Sequence, residues 1–462
     1  MKKYLAIFLA IVMLFGLVAC TSSTKQETTN PSTTETSQEQ SAAENTDTAE
    51  PAAESEKPYA GTTLSVVVCT SAFVDRLASA LPEFEEATGI KVQMEQMQDV
   101  QVSNKTSVVC AGESGDIDVF GYRPLQESTL YVRNGWLEPL NSYIDNSPEY
   151  DYEDFFQTAR DITSSDGTAY GIPYMSEREV LYLNMNLLKQ AGYTEGPKTM
   201  DELLEMCEAL NDPDNGVYAL ALRGEGNAAV TQFAGFLYGF GGDFYDSDFN
   251  ATINTPEFLE AVKFYGKLVR EYCAPGSQNY GWTETSNLFC QGSAAIRIDC
   301  DSQYAYAINP DNSLIADSVG YAMFPANGEN GSTPFNITAW ALGINPYSKN
   351  KEAAWEFIKW ATSKENDIKG MQAGNSSART STWENTDATS AYPAELLDVI
   401  IETNANENSV SYDRPVMQEG GEARTYIGEL ITAAIEGKSD AELQTLADDV
   451  NARVQALLDV EK

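Results

Sequence analysis

From Thr63 to Cys69 the chain runs as a continuous apolar, β-rich stretch, the pattern of a strand buried on both faces. Leu77, Leu81 and Phe84 then recur at helical spacing, and Gly89 marks the stop. Pro82 inside that helix predicts a kink or an irregular turn, because its ring removes one backbone donor. Ile90 to Met94 alternates as a second strand, and Asp116-Ile117-Asp118-Val119-Phe120 reads as a third with an acidic approach. Strand, helix and strand in this order predict a βαβ unit and a parallel sheet.

The same alternation of elements continues. Val180 to Asn184 reads as a strand, and Leu187 to Ala191 as a short helix closed by Gly192. Thr199 to Leu210 is a helix with Thr199 as N-cap and Glu202 three residues on, a capping box. Phe258, Val262, Tyr265, Val269 and Tyr272 form one apolar helical stripe, and Ala354, Phe357 and Ile358 another. Such stripes are core faces. The fold class is α/β, without a solenoid repeat.

Composition narrows the function. Apolar residues make up 42% of the chain, with 24 Tyr and 18 Phe, enough for a sizeable core across the roughly 400 residues after Tyr59. A formal net charge of −40 argues against nucleic acid and anionic lipid surfaces as partners. The absence of histidine excludes His-dependent triads and His-ligated zinc. Six cysteines remain after Cys20, at 69, 110, 207, 273, 290 and 300; none form a CxxC pair, and spacing alone does not select a disulfide pairing.

The amino terminus has its own grammar. Lys2 and Lys3 precede an almost wholly apolar run from Leu5 to Val18, then Ala19-Cys20. This predicts a secretory signal over 1–19. Leu17-Val18-Ala19-Cys20 resembles the lipobox of bacterial lipoproteins, which implies cleavage before Cys20 and acylation of its sulfur as a membrane anchor. Residues 20–58, rich in Ser, Thr, Glu, Gln and Ala, predict a disordered tether with ends roughly 35 Å apart.

Beyond the tether, an ordered series of short motifs resembles the family 1 extracellular solute-binding proteins, relatives of maltose-binding protein, from about Thr62 to Val460. The series includes Phe84 to Val92, Gly115 to Phe120, Asp166 to Pro173 followed by Leu181 to Asn186, Tyr280 to Glu284 with Phe289 to Ile296, Ala339 to Ile344 with Lys351 to Phe357, and Ser377 to Ser381. The resemblance implies a two-lobed periplasmic-binding-protein-like fold of type II with an interlobe ligand cleft. One lobe is expected from 59–174 plus about 318–372, the other from 175–317 plus about 373–462.

Sugars offer hydroxyls to polar side chains and ring faces to aromatics. By resemblance, Trp340 is a stacking candidate, though this chain lacks the family's two preceding glycines; the alternative is a core tryptophan. Glu177 aligns with a sugar-contacting carboxylate, or is a solvated charge beside Arg178. Arg379 matches a position reaching into the cleft, or is a surface loop residue. Asp299 and Asp301, past the strand from Ala294 to Ile298, are candidate hydroxyl acceptors or turn formers. Tyr304 or Tyr306 could replace a missing aromatic contact. Ser71 and Tyr122 are cleft-edge candidates by topology, and Trp282 is either structural or functional.

These features predict a non-enzymatic receptor, without cofactor or metal, for a carbohydrate or polyol. It would be monomeric, held on the extracellular face of the cytoplasmic membrane, and would deliver solute to the permease subunits of an ABC importer. Abundant Asp and Glu near the expected cleft favour neutral or cationic ligands over anions. The rival readings are a receptor for a peptide, a polyamine or an anion, a surface glycoside hydrolase using two carboxylates, and a structural or adhesive lipoprotein.

Overall fold

A computed structural model describes residues Lys57–Glu461. The expected signal, lipobox and nearly all of the tether lie outside the described residues. Ten strands are present among the described residues: β1 (Thr63–Cys69), β2 (Lys91–Met97), β3 (Val119–Tyr122), β4 (Ser164–Ser165), β5 (Thr168–Ala169), β6 (Ile172–Asn184), β7 (Tyr218–Ala221), β8 (Ala294–Cys300), β9 (Val319–Met323) and β10 (Asn336–Ile344). Eight of them join in the order β2-β1-β3-β10-β6-β8-β7, with β9 also on β6.

β6 is the shared member of two pairing sets. Its first part, Ile172 to Arg178, pairs antiparallel with β10. Its second part, Glu179 to Asn184, pairs with β8 and β9. On the first side β1 lies parallel to β2 and β3; on the second β7 lies parallel to β8. The βαβ expectation therefore holds where the pattern announced it.

The period-two burial of β1 explains why that strand is apolar throughout. Leu64, Val66 and Val68 join one core cluster with Phe84, Phe357 and Ile358, whereas Val67 joins another with Phe120 and Tyr131. Each fully buried side chain of this size contributes about 1.5–3 kcal/mol. The stripe Phe258, Val262, Tyr265, Val269 and Tyr272 lies wholly in the largest cluster, on the far side of β6.

Several local expectations are refined. The helix Ala72–Thr88 runs unbroken through Pro82 and ends at Gly89, whose φ of 74° is the left-handed cap only glycine adopts readily. Pro82 is exposed, so solvent can reach the carbonyl its ring leaves without a donor. Thr199 caps its helix through Glu202 N, but the Glu202 carboxylate accepts from Lys198 N rather than closing the box on Thr199. The acidic approach to β3 is structural: Asp118 accepts from Ser65 N at 2.8 Å and from the Ser348 hydroxyl at 2.5 Å.

Two larger differences concern the seam between the pairing sets. β6 begins eight residues before Val180, because its polar run Ser176-Glu177-Arg178-Glu179 stays extended while crossing from one set to the other. The stretch from 318, expected in the first lobe, packs with the second side: β9 pairs with Val180 to Asn184, and Phe324 and Phe335 belong to the largest core. Among the described residues no helix is long and apolar enough to cross a membrane, and the six described cysteines are unpaired.

Candidate functional site

Where β6 passes from β10 to β8, side chains alternate in a way that sorts structure from availability. Arg178 points to one side and is fully buried. Its backbone N–H and guanidinium both donate to Asp301, at 2.9 and 3.1 Å, and the guanidinium also reaches Asn404 Oδ1, Ser376 Oγ and the carbonyls of Ser176 and Ser377. Phe156 and Trp383 flank it at 5.1 and 4.6 Å. No part of this arginine is left for a ligand.

Glu177 and Glu179 alternate with Arg178 and so project away from that network. Glu177 is half-buried and accepts a hydrogen bond from Ser302 Oγ. Burial pushes its carboxyl up to about 7, with Asp301 and Asp299 adding to the shift against the Ser302 hydroxyl. Glu179 is completely buried and neither carboxyl oxygen has a partner in the protein. Burial raises its pKa well above the usual range, helped by Asp299 and Asp413. It fits only because residue 235 is glycine; a Cβ there would stand 2.1 Å from Glu179 Oε2.

The facing strand adds an aromatic. The register of β10 on β6 shifts on either side of Trp340, which pairs with Met175, and a bulge of this kind re-aims a side chain. The indole is half-buried against Gly121. Asn336 Oδ1 and Thr338 Oγ1, on the same strand, are also buried without protein partners, but they pair in register with Arg178 and Ser176 and so lie on the opposite face from Glu177. Leaving a buried polar atom unpaired costs about 1–3 kcal/mol, so the two bare oxygens of Glu179, next to Glu177 on one face of β6, signal a partner from outside the chain.

A second polar cluster adjoins it. Arg223 and Arg297 both pair with Asp299, the latter at 2.6 Å, and Gln232 Nε2 donates to Ile298 O and, at 3.3 Å, to Asp299. Burial pushes Asp299 upward, but Arg223 and Arg297 outweigh it and hold the carboxyl below its ordinary value. Thr231, one residue before Gln232, accepts from two guanidiniums, Arg414 at 3.3 Å and Arg424 at 2.6 Å. Arg414 is paired with the buried Asp413 at 2.5 Å. Burial raises Asp413, yet Arg414 and Arg424 more than reverse that and bring it to about 2.

Measured against this geometry, the residues singled out from sequence divide. Glu177 and Trp340 stand at the seam. Asp299 and Asp301 come close to Glu177, but their oxygens are taken by Arg223, Arg297 and Arg178, so they are counter-ions rather than free hydroxyl acceptors. Arg379 is corrected outright: it is fully buried and donates to the carbonyls of Tyr150, Asp151 and Thr362 and to Asp154 at 3.1 Å, with Phe155 beneath it at 3.9 Å. Tyr122 is core, not cleft edge, its hydroxyl packed under Gly171. Tyr304 is buried too, stacked on Tyr392 at 4.3 Å, and Tyr306 donates to Asn287. Ser71 caps the helix Ala72–Thr88 by accepting from Val74 N. Trp282 opens the helix Trp282–Cys290 and is 51% exposed. Residues of the site not singled out from sequence are Glu179, Arg223, Thr231, Arg414 and Arg424. The only local hint was Arg223-Gly224-Glu225 directly after a strand end, a common ligand position in α/β sheets.

Two sheet sets sharing one long strand are the framework of the two-lobed periplasmic binding proteins, and superposition agrees. The fold matches a solute-binding protein of Agrobacterium radiobacter K84 crystallised with ribitol, at a TM-score of 0.73 and 25% identity, covering 87% of this chain and all of that one. Sequence places it more narrowly: the chain belongs to the bacterial extracellular solute-binding proteins, whose family model matches residues 71–368. It is 30% identical over 265 residues to the mannitol-binding protein of Pseudomonas aeruginosa, covering 56% of this chain. It is 28% identical over 336 residues to the erythritol/L-threitol-binding protein of Mycolicibacterium smegmatis, covering 68% of this chain and 69% of that relative. The chain spans 58% of the mannitol-binding relative's length.

Proposed function

We propose that this chain is the receptor of an ABC importer for a small polyhydroxylated solute, a sugar or sugar alcohol. It would be held on the outer face of the cytoplasmic membrane by lipid on Cys20 and deliver its ligand unaltered to the permease. One observation carries the reading: on the face of β6 that carries Glu177, opposite Arg178, Glu179 is buried with neither carboxyl oxygen partnered by the protein, and Trp340, its indole half-buried, pairs with Met175 on the same face. Hydroxyl-rich molecules supply the missing hydrogen bonds, and their apolar face covers an indole. In this reading Trp340 stacks on the ligand, and Glu177 and Glu179 take its hydroxyls. Ser71 and Trp282 sit at the rim. One lobe comprises 59–174 with about 338–370 and the other the remainder, so that β6 and β10 are crossovers. The chain acts as a monomer, without cofactor, and performs no covalent chemistry on its ligand.

Titration calorimetry of the body from Lys57 onward against a panel of hexoses, oligosaccharides, alditols and sugar acids tests this. Micromolar or tighter binding of one class is expected. If every member binds more weakly than millimolar while spermidine or a peptide mixture binds tightly, the polyhydroxyl reading fails.

A further inference from the structure

The cluster around Thr231 has more positive charge than the fold itself neutralises. Thr231 Oγ1 accepts from Arg414 and Arg424 at once, so two like charges converge on one neutral oxygen. Arg414 has Asp413 as its counter-ion. Arg424 forms no ion pair among the described residues; its single hydrogen bond is the one to Thr231, and its Nε is buried without a partner. Arg223, whose Nε is likewise buried and unpartnered, lies near enough to repel it.

Like charges gathered out of solvent are costly unless an anion joins them. Of the carboxyls nearest this cluster, Asp299 and Asp413 are held below their ordinary value by their arginines, whereas burial raises Glu179 well above it and Glu177 to about 7. Arg223 shares its counter-ion Asp299 with Arg297, and Arg414 holds Asp413, so no carboxylate is left for Arg424 alone. Burial and Arg414 draw the Arg424 guanidinium down to about 9, with Asp413 opposing. That is the mark of a cation short of its counter-ion. A hydroxyl would fill an N–H bond but would not offset the repulsion; a carboxylate does both, and a guanidinium fork holds it in two parallel bonds.

We propose that the polyhydroxylated ligand carries a carboxylate, making it a sugar acid of the aldonate or uronate class, and that Arg424, with Arg223 and Arg414, receives that group while Trp340 and Glu177 hold the hydroxylated part. This rests on the receptor reading above and sharpens it. It also reverses the expectation, drawn from overall acidity, that the ligand is neutral or cationic. The net charge of −40 is a property of the whole chain, and the local balance at Thr231 has the opposite sign.

The test is calorimetry at pH 7 on pairs that share a carbon skeleton: D-gluconate with D-glucitol, and D-galacturonate with D-galactose. In at least one pair the acid is expected to bind tenfold or more tighter than its neutral counterpart. Arg424→Met should collapse that ratio toward one, with circular dichroism confirming the fold. Neutral members binding as well as or better than the acids would overturn the acid preference and leave the receptor intact. Silence from all four would also overturn it, and the wider panel would then judge the receptor reading alone.

Discussion

The surroundings of Arg379 and those of Arg424 offer a controlled contrast, since each withdraws a guanidinium from bulk solvent. Around Arg379 three backbone carbonyls, one carboxylate and two aromatic rings close on the head group. Around Arg424 there are one hydroxyl, a second guanidinium, an unfilled N–H and a carboxylate, Asp413, that is already paired with Arg414. A side chain whose every neighbour comes from its own chain holds the fold together. One with vacant hydrogen-bonding capacity costs stability, and persists where an external molecule completes it.

The contrast can be broken or sharpened by measurement. The largest effect is expected from Arg379→Met, which removes the donor of three buried carbonyls and leaves Asp154 with only Ser381 and the more distant Lys364; removing one partner of a buried pair costs about 3–5 kcal/mol, visible as a large drop in the urea midpoint. Loss under about 1 kcal/mol would mean the strut is dispensable.

Next comes pH. Glu177 keeps its proton up to about 7 in the folded chain against 4.5 when free, so the folded state binds more protons between those values. Its contribution to stability is complete below about 4.5 and is lost as pH rises toward 7, by about 3 kcal/mol at most. Glu177→Gln should remove that slope in denaturation measured across the window. Asp299 and Asp413, both lowered, act in the opposite sense and only below it, as pH falls.

Trp340→Ala should weaken ligand binding by about 1–2 kcal/mol, roughly ten- to thirtyfold, with a smaller change in stability because the ring is only half-buried. The smallest effect is expected from Trp282→Ala: stability within about 0.5 kcal/mol, as for other exposed positions. A tenfold loss of affinity there would move the site's edge outward to the helix Trp282–Cys290.

How much could be read in advance depended on whether a signal was periodic or relational. β1 and the helix bearing Phe258 to Tyr272 announce themselves, because burial writes its period into a single stretch of chain. The first part of β6 does not, since Glu177, Arg178 and Glu179 look like solvent-facing charges until their partners are known. Asp301 and Arg178 are 123 residues apart, and Arg379 and Asp154 are 225 apart. Sequence displays the charge at each end but not the pairing, so Asp299, Asp301 and Arg379 read equally as ligand contacts or as turn and loop residues. Glu177 and Trp340 were singled out by family resemblance, which carries positional information that local pattern lacks. Arg414 and Arg424 fell beyond the stretch with recognisable motifs, in a loop and a helix start that look unremarkable alone.

β6 has a mechanical consequence as well. Its 13 residues extend without interruption from one core to the other, a rod of roughly 43 Å at about 3.3 Å per residue. Rotation of one half against the other cannot then be a free swivel in a slack loop. It must be absorbed as torsion spread along hydrogen-bonded backbone, which resists and recoils like a leaf spring. Each capture would load that spring and each release would unload it, so the resting posture is restored without a separate latch.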